Sequence, residues 1–197
     1  MTGGSLPIDT RQIIVMGYSE GSQVAPRVAV LNKKVTHVVC FVGNALNQLY
    51  NFILKTRLRA LQKEITSEES QNLVDSLYRE YASIYKNPKA TDLSWYGATY
   101  LKWSSSSGIT PLENMLQLNI PILYVAGGKD NNQTVLSMDY AKLEFLRKGK
   151  TNLTYKVYPN SDHYFQEEVT KNGATKKVDR LDEVHQFALD WVNSNKR

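Results

Sequence analysis

The sequence predicts an α/β fold: a mostly parallel sheet with flanking helices and a helical cap inserted near its middle. Three observations carry that expectation. Four short apolar runs are separated by helical stretches rather than tight turns. Helix start and stop signals fall between those runs. One connection, from Val42 to Ile120, is far too long for a simple crossover.

The elements follow in order. Ile13 to Met16 forms the first apolar run, and Ser22-Gln-Val-Ala25 is a plausible helix start soon after it. His37 to Val42 is the second run. The insertion, at about 46–104 of a single 1–197 domain, keeps a helical spacing in Leu54, Leu58, Leu61 and Ile65. Thr66 with Glu69 offers a capping box, and Leu73, Leu77, Tyr81 and Ile84 form a second stripe. Trp95, Tyr96, Tyr100 and Trp103 form an aromatic cluster, read mainly as packing between insertion and core, before the Ser104–Ser107 run, read as a linker back to it.

Thr110, Pro111 and Glu113 supply an N-cap, a first-turn proline and a capping-box partner. Ile120 to Ala126 is the third apolar run. The helix starting near Val135 is closed by Arg147-Lys148-Gly149, with basic residues and a terminal glycine. Leu153 to Tyr158 is the fourth run. Val178 to Val192 places Leu181, Val184, Phe187, Ala188, Trp191 and Val192 on one stripe, a helix packed on the sheet.

Composition narrows the functional classes. With 197 residues, 42% hydrophobic and 22% charged, the chain can bury a core of its own. The net charge of +5 is scattered rather than gathered on a face with interleaved aromatics, which argues for a solvated surface and against nucleic-acid binding. No apolar stretch is long enough to span a membrane. The chain shows no basic region followed by an apolar one at its N-terminus, so no secretory signal is read and the cytoplasm is the default location. Cys40, the single cysteine, lies in an apolar run and reads as a buried, inert thiol that leaves the redox compartment open.

The chemistry centres on Gly17-Tyr18-Ser19-Glu20-Gly21, which follows the first strand and precedes a helix start. A strand that enters a helix through so tight a turn strains its central residue, and flanking glycines remove side chains that would collide with backbone. Ser19 then stands at a helix amino end, where unpaired N–H groups favour a growing negative charge. The backbone N–H of Glu20 is the first oxyanion donor to name.

A serine hydroxyl needs a base, and the chain has three histidines. His37 opens a strand and reads as structural; His185 lies beside the apolar stripe of the last helix. His163 instead sits on a loop leaving the carboxyl end of a strand, where open α/β sheets place their sites. Asp130, in Gly127-Gly-Lys-Asp130 just past another strand, is the acid able to orient it. Asp162 is adjacent to His163 and points elsewhere in most loop geometries, and Asp139 falls inside a helix. The histidines are too far apart for a metal-type spacing, and this chemistry calls for no metal or cofactor.

The order Ser19, Asp130, His163, with GYSEG after a strand, resembles the α/β-hydrolase superfamily from its nucleophile elbow onward. Among its branches, the chain looks most like the dienelactone-hydrolase, acyl-thioesterase and prolyl-oligopeptidase-like groups. The resemblance implies that Ser19 attacks an acyl carbonyl, that His163 is general base and then general acid, and that Asp130 orients it. A small acyl or ester substrate is expected, cleaved through an acyl-enzyme, with the insertion at the position of a lid.

It also implies that strands preceding the elbow are missing, together with the loop that gives the second oxyanion N–H; Gly3 and Gly4 stand too close to the elbow to supply it. A second copy of the chain or a missing segment would then complete the sheet. Two other readings stay open: a serine peptidase of the prolyl-oligopeptidase type, and a truncated, non-catalytic binding module.

Overall fold

The run from Ile14 to Tyr18 (β1) pairs in parallel with His37–Phe41 (β2), which pairs with Ile122–Gly127 (β5), which pairs with Leu153–Tyr158 (β6). The computed structural model describes residues 11–171 and 173–195. Gly3 and Gly4 lie outside them. Every residue of β2 and β5 is buried, as expected of parallel strands covered on both faces. β1 is an edge strand of this four-stranded sheet, with Ile14, Met16 and Tyr18 exposed.

Alternation along the two central strands sorts the core into two layers. Val38, Cys40, Ile122 and Tyr124 meet Ala25 and Ala29 of helix Glu20–Leu31 (α1) and Met138, Ala141 and Phe145 of Leu136–Arg147 (α6). On the other face Val39, Phe41, Leu123 and Val125 meet Val184, Ala188 and Val192 of Leu181–Ser194 (α7), with Phe165. Each fully buried aliphatic or aromatic side chain contributes about 1.5–3 kcal/mol. Cys40 is buried, and that burial pushes its thiol pKa up. His37 is buried at the sheet's end, its ring nitrogens bonded to Thr36 Oγ1 at 2.9 Å and the Asn195 carbonyl at 2.8 Å.

Pro26 lies inside α1, a residue the sequence pattern alone did not place. It takes away the N–H that would reach the Ser22 carbonyl. The Cys40 thiol donates to that carbonyl instead, at 3.4 Å.

Between β2 and β5 the chain forms Gln48–Leu61 (α2), Ser67–Lys86 (α3), a small hairpin of Ser94–Trp95 (β3) and Ala98–Thr99 (β4), Tyr100–Ser107 (α4) and Pro111–Gln117 (α5). Both capping boxes form, Thr66 with Glu69 and Thr110 with Glu113. A separate cluster of Leu49, Tyr81, Ile84, Tyr100 and Trp103 holds α2, α3 and α4 together, extended by Phe52 and Trp95.

Four expectations need correction here. Ser104–Ser107 is helical, not a linker, and its hydroxyls bond back to main-chain carbonyls, as Ser107 Oγ does to Trp103 O at 2.8 Å. Leu61 and Leu73 are exposed: α2 buries Leu49 and partly covers Phe52 and Ile53 nearer its start, and α3 turns Val74, Tyr81 and Ile84 inward instead of Leu73. Val178 is not helical: it lies in Ala174–Asp179 (β8), which forms an antiparallel hairpin with Gln166–Lys171 (β7) before α7 begins. Its charged, largely exposed residues carry no apolar alternation that would announce a strand. Gly21 has open space where a side chain would stand, so only the first elbow glycine is sterically required.

Candidate active site

Ser19 sits between β1 and α1 with φ 52° and ψ −117°, a conformation that L residues rarely adopt and that costs of order 1–3 kcal/mol. Two features hold it there. Its N–H donates to the Phe41 carbonyl at 2.9 Å, tying the elbow to β2. A Cβ on Gly17 would lie 2.1 Å from the Gly21 carbonyl oxygen, so a glycine at 17 lets α1 start directly against β1. Glu20 opens α1, and its N–H, in the first turn, has no acceptor four residues back in the helix.

His163 follows β6 and brings Nε2 to 3.1 Å from Ser19 Oγ. Its Nδ1 lies 2.7 Å from Asp130 Oδ2. Asp130 follows β5; its other oxygen, Oδ1, accepts the N–H groups of Asn132 at 2.7 Å and Gln133 at 2.8 Å. With its side chain fully covered, Asp130 has three short bonds fixing both carboxylate oxygens. The arrangement allows a proton to pass from a hydroxyl to an imidazole whose far nitrogen faces a carboxylate.

The Gly127-Gly128 pair does not loosen its loop. A Cβ on Gly127 would stand 2.4 Å from the Asp162 carbonyl oxygen, and Gly128 N–H donates to Tyr158 O at 2.8 Å. The glycines let the loops bearing Asp130 and His163 pack backbone to backbone. Asp162 turns away from Ser19, its Oδ1 accepting from the N–H of Tyr164 at 2.8 Å and of Gln166 at 2.9 Å. His185 is exposed beside Phe41, and Asp139 lies in α6.

Tyr18 escaped the sequence reading. Its hydroxyl donates to the His163 carbonyl at 3.2 Å, and its ring packs on Phe41, Phe165 and the His163 imidazole. Burial, with the Asp130 charge behind it, pushes its pKa up to about 12. Its place, immediately before the serine of a strand-to-helix turn, was the available signal.

A groove of about 720 Å³ opens beside Ser19. Glu20 pairs across it with Lys102 of α4 at 2.7 Å, and Gln23 Nε2 donates to Gln48 Oε1 at 2.7 Å. Trp103 and Ile109 form part of the apolar wall. Among the described residues there is no group of three or more His, Cys, Asp or Glu that could hold a metal, and no helix long and apolar enough to cross a membrane.

A family model described as BAAT / Acyl-CoA thioester hydrolase C terminal matches residues 5–167. No curated protein sequence matches the chain. Dipeptidyl peptidase 4 of Porphyromonas gingivalis is similar in structure, with a TM-score of 0.56 and 13% identity over 98% of this chain and 21% of that one. VinJ gives 0.53 and 14% over 94% and 67%. The alpha/beta hydrolase GrgF from Penicillium sp. sh18 gives 0.53 and 10% over 95% and 65%. The chain thus spans about a fifth of the peptidase and about two thirds of the other two. At these identities the likeness is one of fold.

Proposed function

This chain belongs to the BAAT / Acyl-CoA thioester hydrolase C-terminal family, within the α/β-hydrolase superfamily, and from that premise we propose that it is a serine hydrolase of carboxylic esters or related acyl bonds. The observation that carries the reading is the continuous line Ser19 Oγ, His163 Nε2, His163 Nδ1, Asp130 Oδ2, with separations of 3.1 and 2.7 Å.

In this mechanism His163 takes the Ser19 proton as Oγ bonds to the acyl carbon, and the carbonyl oxygen becomes an oxyanion. The Glu20 N–H and the amino end of α1 stabilise that charge. Asp130 holds the tautomer in which Nε2 is free to accept and then stabilises the imidazolium. His163 returns the proton to the leaving group as its bond to the acyl carbon breaks, leaving an acyl-Ser19 ester. A water, deprotonated by His163, cleaves that ester and frees the acid. The α2 to α4 unit acts as a cap over this site, Trp103 and the Glu20–Lys102 pair being its contacts beside the serine.

Replacement of Ser19 by Ala tests the reading. Labelling by a fluorophosphonate and hydrolysis of short acyl esters and thioesters are both expected to disappear. Activity equal to that of the unaltered chain would overturn it. Dipeptidyl amides assayed in parallel are expected to remain intact, and their cleavage at comparable rates would move the assignment to a peptidase.

A further inference from the structure

The groove runs to one side of Ser19. Its walls come from α1, α2, α4, α5, the segment joining α4 to α5 and Gln133 of the turn after β5, and none from the β6–β7 connection that carries His163. A leaving group departs beside its proton donor, His163 Nε2, while the acyl group stays on Ser19. The acyl chain is therefore the part of the substrate that fills the groove.

We propose that this groove holds an acyl chain ending in a carboxylate, with Arg27 as the counter-charge. The inference rests on the reading of Ser19 as the nucleophile. The groove's lining contains three charged residues, Glu20, Arg27 and Lys102. Glu20 and Lys102 neutralise one another at 2.7 Å. Arg27 is exposed and has no hydrogen-bond or ion-pair partner among the described residues, so it is the cation there left to a ligand. A guanidinium also matches a carboxylate with two parallel bonds.

Position sets the length of the chain. Gln23 and Arg27 lie four residues apart on one face of α1, and Ser19 stands in the turn just before its first residue. Eight residues of helix rise about 12 Å. Helical side chains lean toward the amino end. The guanidinium accordingly falls about 6–12 Å from the serine, which an extended chain covers in about five to nine bonds. The wall is mixed: Val24, Trp103 and Ile109 give it apolar surface for the methylenes of such a chain. It also contains Gln133 and Asn114, 8% and 2% exposed, whose Oε1 and Oδ1 have no partner among the described residues.

The test compares 4-nitrophenyl esters of octanedioic acid that carry either a free carboxylate or a carboxamide at the far end. At low salt the intact chain is expected to favour the carboxylate in kcat/KM by about tenfold. Arg27→Gln should bring the ratio near one, and Arg27→Lys should restore part of it. A ratio near one in the intact chain, or one that Arg27→Gln leaves unmoved, overturns the inference. Calorimetry with free octanedioate on the Ser19→Ala protein gives an independent reading, with about tenfold weaker binding expected when Arg27→Gln is added. Arg27-dependent binding without turnover of either ester would sink the nucleophile and keep the carboxylate site. Turnover indifferent to Arg27 would do the reverse, and no turnover with no Arg27-dependent binding would remove both.

Discussion

The α-carbon of Gly127 and the carbonyl oxygen of Asp162 approach so closely that a Cβ on Gly127 would stand 2.4 Å from that oxygen. Asp130 lies three residues beyond the first and His163 one beyond the second. The 2.7 Å bond between these two side chains therefore depends on two backbones meeting with nothing between them.

Gly127→Ala is expected to push the two loops apart and to destabilise the fold by about 1–3 kcal/mol, the usual cost of overpacking. Ester hydrolysis should fall by more than the folded fraction does. Urea denaturation and kcat on the same sample separate the two effects.

Asp130→Asn should leave the loop intact, because an amide oxygen can still accept from the N–H groups of Asn132 and Gln133. Its amide nitrogen would then face His163 Nδ1 and favour the wrong tautomer. A loss of about 10⁴ in kcat with little change in KM is expected. Steady-state kinetics with a chromogenic ester measures it.

The Ser19 backbone predicts an ordering of stabilities. Glycine adopts φ 52° without strain, so Ser19→Gly should unfold at higher denaturant than Ser19→Ala, by about 1 kcal/mol, although both are inactive. Equal midpoints would mean that the elbow relaxes when its hydroxyl is removed.

Tyr18 gives a pH signature. Burial raises its pKa from 10.0 to about 12, so the folded chain favours the neutral phenol. That contribution is fully present below about pH 10 and is lost as the pH rises toward about 12. Tyr18→Phe removes the bond to the His163 carbonyl and should cost about 1 kcal/mol at neutral pH. Its deficit against the intact chain should narrow through the alkaline range, as denaturant titrations at several pH values would record.

The central strands, both capping boxes and the order of Ser19, Asp130 and His163 were legible because each has a local cause. β2 and β5 are apolar but for His37 at the start of β2, capping boxes span four residues, and turn residues follow strand ends. What the sequence hid depends on contacts made far along the chain. Tyr18 reaches the His163 carbonyl, 145 residues away. Gly127 is required by the Asp162 backbone, and Gly21, outwardly the twin of Gly17, is required by nothing nearby. The β7–β8 hairpin is held largely by its own main-chain ladder, from Gln166 opposite Asp179 to Lys171 opposite Ala174, and the charged residues along it mask that pairing.

The turn that begins at Asp130 serves two masters. Its first residue aims the imidazole, while Gln133, whose N–H holds Asp130 Oδ1, also forms part of the groove wall. Remodelling position 133 to admit a different substrate therefore risks detuning proton transfer through the shared backbone. Adaptation to new substrates should proceed more readily at Val24 or Ile109, groove residues outside that turn, where a side chain can change without disturbing the aspartate's support.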